Sequence, residues 1–112
     1  MCMQPMLYLL KPADEDPPVV CPESALVEGL LVYYPAILDA VGVKRIGFAR
    51  PRPDLVAALG EAYQGAPVLH FPKGAETPAD AEATPEGERF LAGPDAIASY
   101  FASLGLAGRL AS

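Results

Sequence analysis

Cys21 opens the only stretch of this chain whose residue types and spacing suggest covalent chemistry, "CPES" within "VVCPESALVEGLLVYY" (residues 19–34). Proline is well placed at the first position of a helix, where its missing N–H has no partner to lose. Cys21 is then the N-cap residue, and the unpaired N–H groups and positive dipole end of the helix attract negative charge to the sulfur. A thiolate is the nucleophile of thiol chemistry, so this is where one would be made. Ser24, three residues on, can donate its hydroxyl hydrogen to the sulfur. Glu23 and the Asp14-Glu15-Asp16 run oppose this, because nearby negative charge disfavours a thiolate. A reactive thiol and a half-buried, inert N-cap cysteine both fit these residues. There is no second cysteine at position 24, and Cys2, read as part of a frayed terminus, forms no disulfide framework with Cys21.

The elements that must hold this thiol can be read from pattern. "MLYLLK" (6–11) is a short apolar run ended by proline, a buried strand. Residues 12–20, "PADEDPPVV", hold three acids and three prolines and read as an irregular acidic loop. A helix runs from Pro22 to Tyr34, and Pro35 interrupts it before a further turn or two closed by Gly42. "VKRIGFA" (43–49) alternates as a second strand, and 50–60 is a short helix with Asp54 in its first turn and Gly60 as its stop. "APVLHF" (66–71) is the third strand. Residues 73–88 lack periodicity and read as a long exposed loop. "RFLAG" (89–93) is the fourth strand. The last helix, 94–105, puts Ile97, Tyr100, Phe101 and Leu104 on one face. The order is strand, helix, strand, helix, strand, strand, helix: a parallel crossover unit followed by a hairpin.

Composition narrows the function classes. At 112 residues, 52% of them hydrophobic and 20% charged, the chain has room for one domain, 1–112. Its net charge is −6 with no long basic cluster, which argues against nucleic acid as a partner. With His70 as the sole histidine and only two cysteines, no zinc ligand set is expected. The N-terminal run has no leading positive charge, and the apolar stretch 25–43 is broken by Glu28, Pro35 and Asp39. No signal peptide or membrane span is expected, and a cytoplasmic protein is the default, which suits free thiols.

This order of elements, with Cys-Pro at the first helix, resembles the thioredoxin-like fold of glutaredoxins and glutathione S-transferase N-terminal domains. Three segments carry the likeness: "CPES" (21–24) at the thiol site, "APVL" (66–69) opening the third strand, and "AGPDAI" (92–97) before the last helix. The chain also looks like a small bacterial family of unknown function sharing "LLKP…EDP…CP…ALVEGLL". The resemblance implies an α/β fold with a four-stranded mixed sheet (β-α-β-α-β-β-α) and helices on both faces. It implies a cis Ala66–Pro67 bond and a monothiol oxidoreductase, glutathione-linked, with Cys21 as nucleophile and Ser24 supporting it. Glutathione would then lie against Pro22, Ala66, Pro67 and Val68, with Gly93 and Asp95 near its γ-glutamyl end. Lys11 departs from the pattern, since ten residues and the acidic insertion separate it from Cys21.

Other readings of single residues stay bland. His70 shares the strand face of Val68 and reads as a satisfied or surface histidine. Asp95 is equally well explained as a first-turn helix acid. Arg50 and Arg52 read as solvated loop charges, with contact to a carboxylate ligand as the alternative. The first helix is apolar nearly all round. Leu26, Leu30, Tyr33 and Ile37 form the stripe assigned to the core, which leaves Val27, Leu31 and Tyr34 for a second contact. A homodimer through this helix is the expectation, and a non-catalytic binding or self-association module is the alternative function.

Overall fold

The computed structural model describes residues 4–111, so Cys2 lies outside the described residues. β1 (Met6–Leu10) leads through the acidic loop to α1 (Pro22–Tyr33) and the short α2 (Ile37–Ala40). β2 (Gly42–Ile46) follows, then α3 (Pro53–Leu59), β3 (Val68–Phe71), β4 (Glu82–Ala83), β5 (Arg89–Ala92) and α4 (Pro94–Ser103). The strands form one sheet in the order β2-β1-β3-β5-β4. β1 and β2 are parallel, joined by the α1–α2 crossover, and every other neighbouring pair is antiparallel.

The sheet therefore has five strands where the sequence led us to expect four. The fifth, β4, lies inside the stretch 73–88 that reads as a loop. Two residues are too few for alternation to show, and what holds them is the hairpin beyond. Thr84 N–H donates to Glu88 O at 2.8 Å, and Glu88 N–H donates to Thr84 Oγ1 at 3.1 Å. The acidic loop is also less irregular than its prolines suggest, for Ala13 and Val19 make an isolated antiparallel bridge that buries Ala13.

Strand alternation divides the core in two. Leu7 and Leu9 of β1, Leu69 and Phe71 of β3 and Leu91 of β5 face one way, against α1, α2 and α4. Leu10, Val68 and Phe90 face the other way, with Ile46 of β2, against Leu55 and Leu59 of α3. Helices thus cover both faces, as expected from the element order.

The phase of α1 differs from the expected one. Val27, Leu30 and Leu31 are buried, whereas Leu26 is 39% and Tyr33 78% exposed. An all-apolar helix carries almost no periodic signal, so hydrophobicity alone cannot fix its rotation. A polar residue sets it instead. Ser24 is buried at 2% exposure, and its Oγ accepts the Leu10 N–H at 3.1 Å. Residues three and seven positions beyond Ser24, Val27 and Leu31, share its side of the helix and turn inward with it. At the other end of the chain, Leu104, expected on the core face of α4, is 50% exposed, and Ala98, not expected there, is buried beside Ile97 and Phe101.

β2 forms one edge of the sheet and is tied to both layers. Lys44 reaches Asp54 of α3 at 3.2 Å, and Arg45 makes a two-pronged bond to Glu28 of α1 at 2.7 and 2.8 Å. No helix among the described residues is long and apolar enough to cross a membrane.

Candidate functional site

α1 begins as the Cys-Pro pair dictates: Cys21 is the N-cap, with extended backbone, and Pro22 occupies the first turn. The Cys21 sulfur accepts the Ser24 N–H at 3.4 Å, a length within hydrogen-bonding range for sulfur. Its side chain is half-buried against the second core cluster, as are Phe48, Tyr63 and Ala66. The thiol and the Ala66–Pro67 segment therefore lie on the same side of the sheet. The Ala66–Pro67 bond is cis, as are Asp16–Pro17 and Arg50–Pro51.

The group that Ser24 offers the sulfur is its amide. Its hydroxyl oxygen is engaged by Leu10, which makes Ser24 a clamp between β1 and α1 as well as a neighbour of Cys21. Ser24→Ala should lower stability by about 1–3 kcal/mol in urea denaturation, because it leaves the buried Leu10 N–H without an acceptor. Alkylation of Cys21 should stay at the wild-type rate, since the amide remains. A drop in that rate with stability unchanged would assign the hydroxyl to the thiol instead.

Pro67 and Val68 are buried, and Val68 is a central-strand residue registered against Tyr8 on one side and Ala92 on the other. Ala66 is half-buried and lies outside the strand pairing, so it is the part of this segment open to a ligand. Gly93 joins the group directly: its N–H donates to Pro67 O at 3.1 Å, and it caps α4 with φ +88°, a conformation that favours glycine. Asp95 is exposed in the first turn of α4. His70 is satisfied, its Nε2 lying 2.8 Å from Glu88 Oε1. That bond, from His70, is the main cause holding the Glu88 carboxyl below the ordinary carboxylate range.

Arg52 corrects the reading of a solvated charge. It is only 7% exposed, and no carboxylate pairs with it among the described residues. Its guanidinium donates to Phe48 O through Nε at 3.0 Å and Nη2 at 2.6 Å, and to Gln64 O through Nη1 at 2.6 Å. Its own N–H donates to Gln64 Oε1 at 2.7 Å. Arg52 thereby binds the loop after β2 to the loop before β3, the two segments that carry Phe48 and Ala66. Burial pushes the guanidinium below its ordinary value, as does the nearby Arg50 charge, while attraction to Cys21 opposes both. Sequence reasoning missed this role because it depends on a contact across 12 residues, between Arg52 and Gln64, that no local pattern announces.

Among the described residues, no group of three or more His, Cys, Asp or Glu is arranged to hold a metal ion. In comparison with known proteins, the family model described as "Protein of unknown function (DUF3088)" matches residues 4–107. No curated protein and no solved structure matches the chain.

Proposed function

The chain belongs to the DUF3088 family, which supplies no activity to inherit, and on that premise we propose a glutathione-linked thiol–disulfide oxidoreductase of thioredoxin-like architecture. The observation that carries the reading is the half-buried Cys21 sulfur at the mouth of α1, receiving the Ser24 N–H. The parallel β1–α1–β2 crossover followed by the antiparallel β3–β5 pair supports the architecture. In the proposed reaction the Cys21 thiolate attacks the glutathione sulfur of a protein–glutathione mixed disulfide. The S–S bond breaks, the protein thiolate leaves, and Cys21–glutathione forms. A second glutathione, as thiolate, attacks that adduct, releases glutathione disulfide and restores the Cys21 thiolate. The substrate is reduced and two glutathione molecules end as one disulfide, so electrons balance. Glutathione would rest on Pro22 and Ala66, with Gly93 and Asp95 toward its γ-glutamyl end. A compartment supplied with reduced glutathione, such as the cytoplasm, is where this chemistry would run. Its test is capture of glutathione on Cys21.

The exposed side of α1 favours a second reading, a self-association module. Val32 is 77%, Tyr33 78% and Leu38 50% exposed, close together in sequence and uncharged. Of the residues first expected to make this contact, Val27 and Leu31 are in the core, and Tyr34 is exposed. On this reading the protein sediments as a dimer at micromolar concentration, and Val32→Glu with Tyr33→Glu converts it to a monomer. A wild-type monomer under those conditions sinks the dimer, as does a dimer that both glutamates leave intact.

A further inference from the structure

Between the end of α3 and the start of β3 runs "EAYQGAP" (61–67), which forms neither helix nor strand yet is tied down along its length. Tyr63 N–H donates to Gly60 O at 3.3 Å, and Gln64 Nε2 donates to Glu61 O at 3.1 Å. Gln64 O accepts Arg52 Nη1 at 2.6 Å. Held in this way, the Tyr63 ring lies on Phe90 with centroids 4.5 Å apart and planes inclined at 44°. Aromatic pairs attract at such distances, so the ring is anchored and the position of its hydroxyl is set.

That hydroxyl stands beside the thiol corner. It lies 3.7 Å from where a Cβ at Gly65 would be, an ordinary contact distance, and Gly65 directly precedes Ala66. Ala66 is the part of this segment open to a ligand. Tyr63, Ala66 and Cys21 all pack at the margin of the same core cluster. The Tyr63 hydroxyl makes no hydrogen bond among the described residues. Nor is it sealed from solvent, for the one buried side-chain polar atom there without a partner is Arg89 Nε.

Burial pushes the Tyr63 phenol up from its ordinary value, and the charges of Glu82 and Glu23 push it the same way. Glu23 belongs to the first turn of α1, next to Pro22. The phenol therefore stays protonated near neutrality, a donor with no acceptor in the described chain. Polar groups left open beside a ligand-facing surface are those that orient a ligand. The two carboxylates repel an anionic acceptor, which leaves a neutral carbonyl oxygen.

On the oxidoreductase reading, on which this inference rests, we propose that Tyr63 is a glutathione-binding residue, its hydroxyl donating to a peptide carbonyl of the tripeptide on Ala66. The hydroxyl recognises the peptide and leaves the sulfur chemistry to Cys21. Tyr63 thereby favours glutathione over disulfides that carry no peptide.

The test follows adduct formation at Cys21 by intact mass, in protein carrying Cys2→Ser, with glutathione disulfide and with hydroxyethyl disulfide, which has no peptide. Tyr63→Phe keeps the ring on Phe90 and removes one oxygen. It should slow the reaction with glutathione disulfide about three- to tenfold, the worth of one neutral hydrogen bond. Reaction with hydroxyethyl disulfide and with iodoacetamide should keep the rate seen with Tyr63 intact. An unchanged rate with glutathione disulfide overturns the proposal. Equal slowing toward both disulfides overturns it too, since the hydroxyl would then serve the sulfur or the fold. Failure of the oxidoreductase reading looks different: protein with Tyr63 intact then takes up no glutathione, and the role of Tyr63 falls with it.

Discussion

Incubated with glutathione disulfide, the protein carrying Cys2→Ser should acquire one glutathione at Cys21, with the Cys2→Ser, Cys21→Ser protein, which has no thiol left, as the blank. The exchange is balanced: the Cys21 thiolate attacks one sulfur, and the other glutathione leaves as its thiolate. Iodoacetamide should likewise modify Cys21 faster than free glutathione in the same buffer, because the Ser24 N–H at the mouth of α1 meets the sulfur. Serine is itself a preferred N-cap residue, so Cys21→Ser keeps α1 intact and its effect reads on the thiol alone. Intact-mass spectrometry with peptide mapping measures the first outcome, and a stopped alkylation series the second. Failure of the Cys2→Ser protein to take up glutathione, or alkylation that trails the free thiol, would leave the binding-module reading in possession of the field.

Arg52→Met should cost about 1–3 kcal/mol of stability, because it strips the donors from the part-buried carbonyls of Phe48 and Gln64. Two effects compete. Removing a desolvated cation is favourable in itself, and methionine fills similar space. Against that, three short charge-assisted bonds disappear and methionine offers no donor to replace them, so the loss prevails. For a domain whose total stability is typically about 5–15 kcal/mol, the effect is large. Arg52→Lys should recover only part of it, since one ammonium cannot reproduce the planar fork spanning both carbonyls. Urea denaturation with an unchanged m-value is the measurement. A shift below about 0.5 kcal/mol for Arg52→Met would mean that the loops are held by something else.

What the sequence made legible follows from the range of the forces involved. Cys21 as N-cap was readable because proline at the next position is a local rule with few alternatives. The same holds for α3, bracketed by Pro53 and Gly60, and for the four longer strands, where apolar runs end at proline or glycine. The rotation of α1 was not readable, because with apolar residues on every side the deciding contact is one buried hydroxyl meeting Leu10 across 14 residues. β4 escaped for a different reason: its two residues are held by the Thr84–Glu88 turn and by pairing to β5. Arg52 was the largest omission from the candidate site. A charged residue among prolines reads as solvated, and only the meeting of two distant loops buries it.

The ion pairs on β2 have a consequence for how copies of the protein can meet. A sheet grows into fibres or continuous dimers by adding a strand at a bare edge. At the β2 edge, Lys44 and Arg45 project to opposite faces, and each is drawn onto a flanking helix. An incoming strand would have to lie between these two charged arms, and outward lysine and arginine are a recognised barrier to such growth. The opposite edge, β4, is two residues long and offers too few ladder positions to template anything. Sheet extension is therefore disfavoured at both edges of the described sheet. Edge-to-edge stacking into aggregates is disfavoured by the same arrangement.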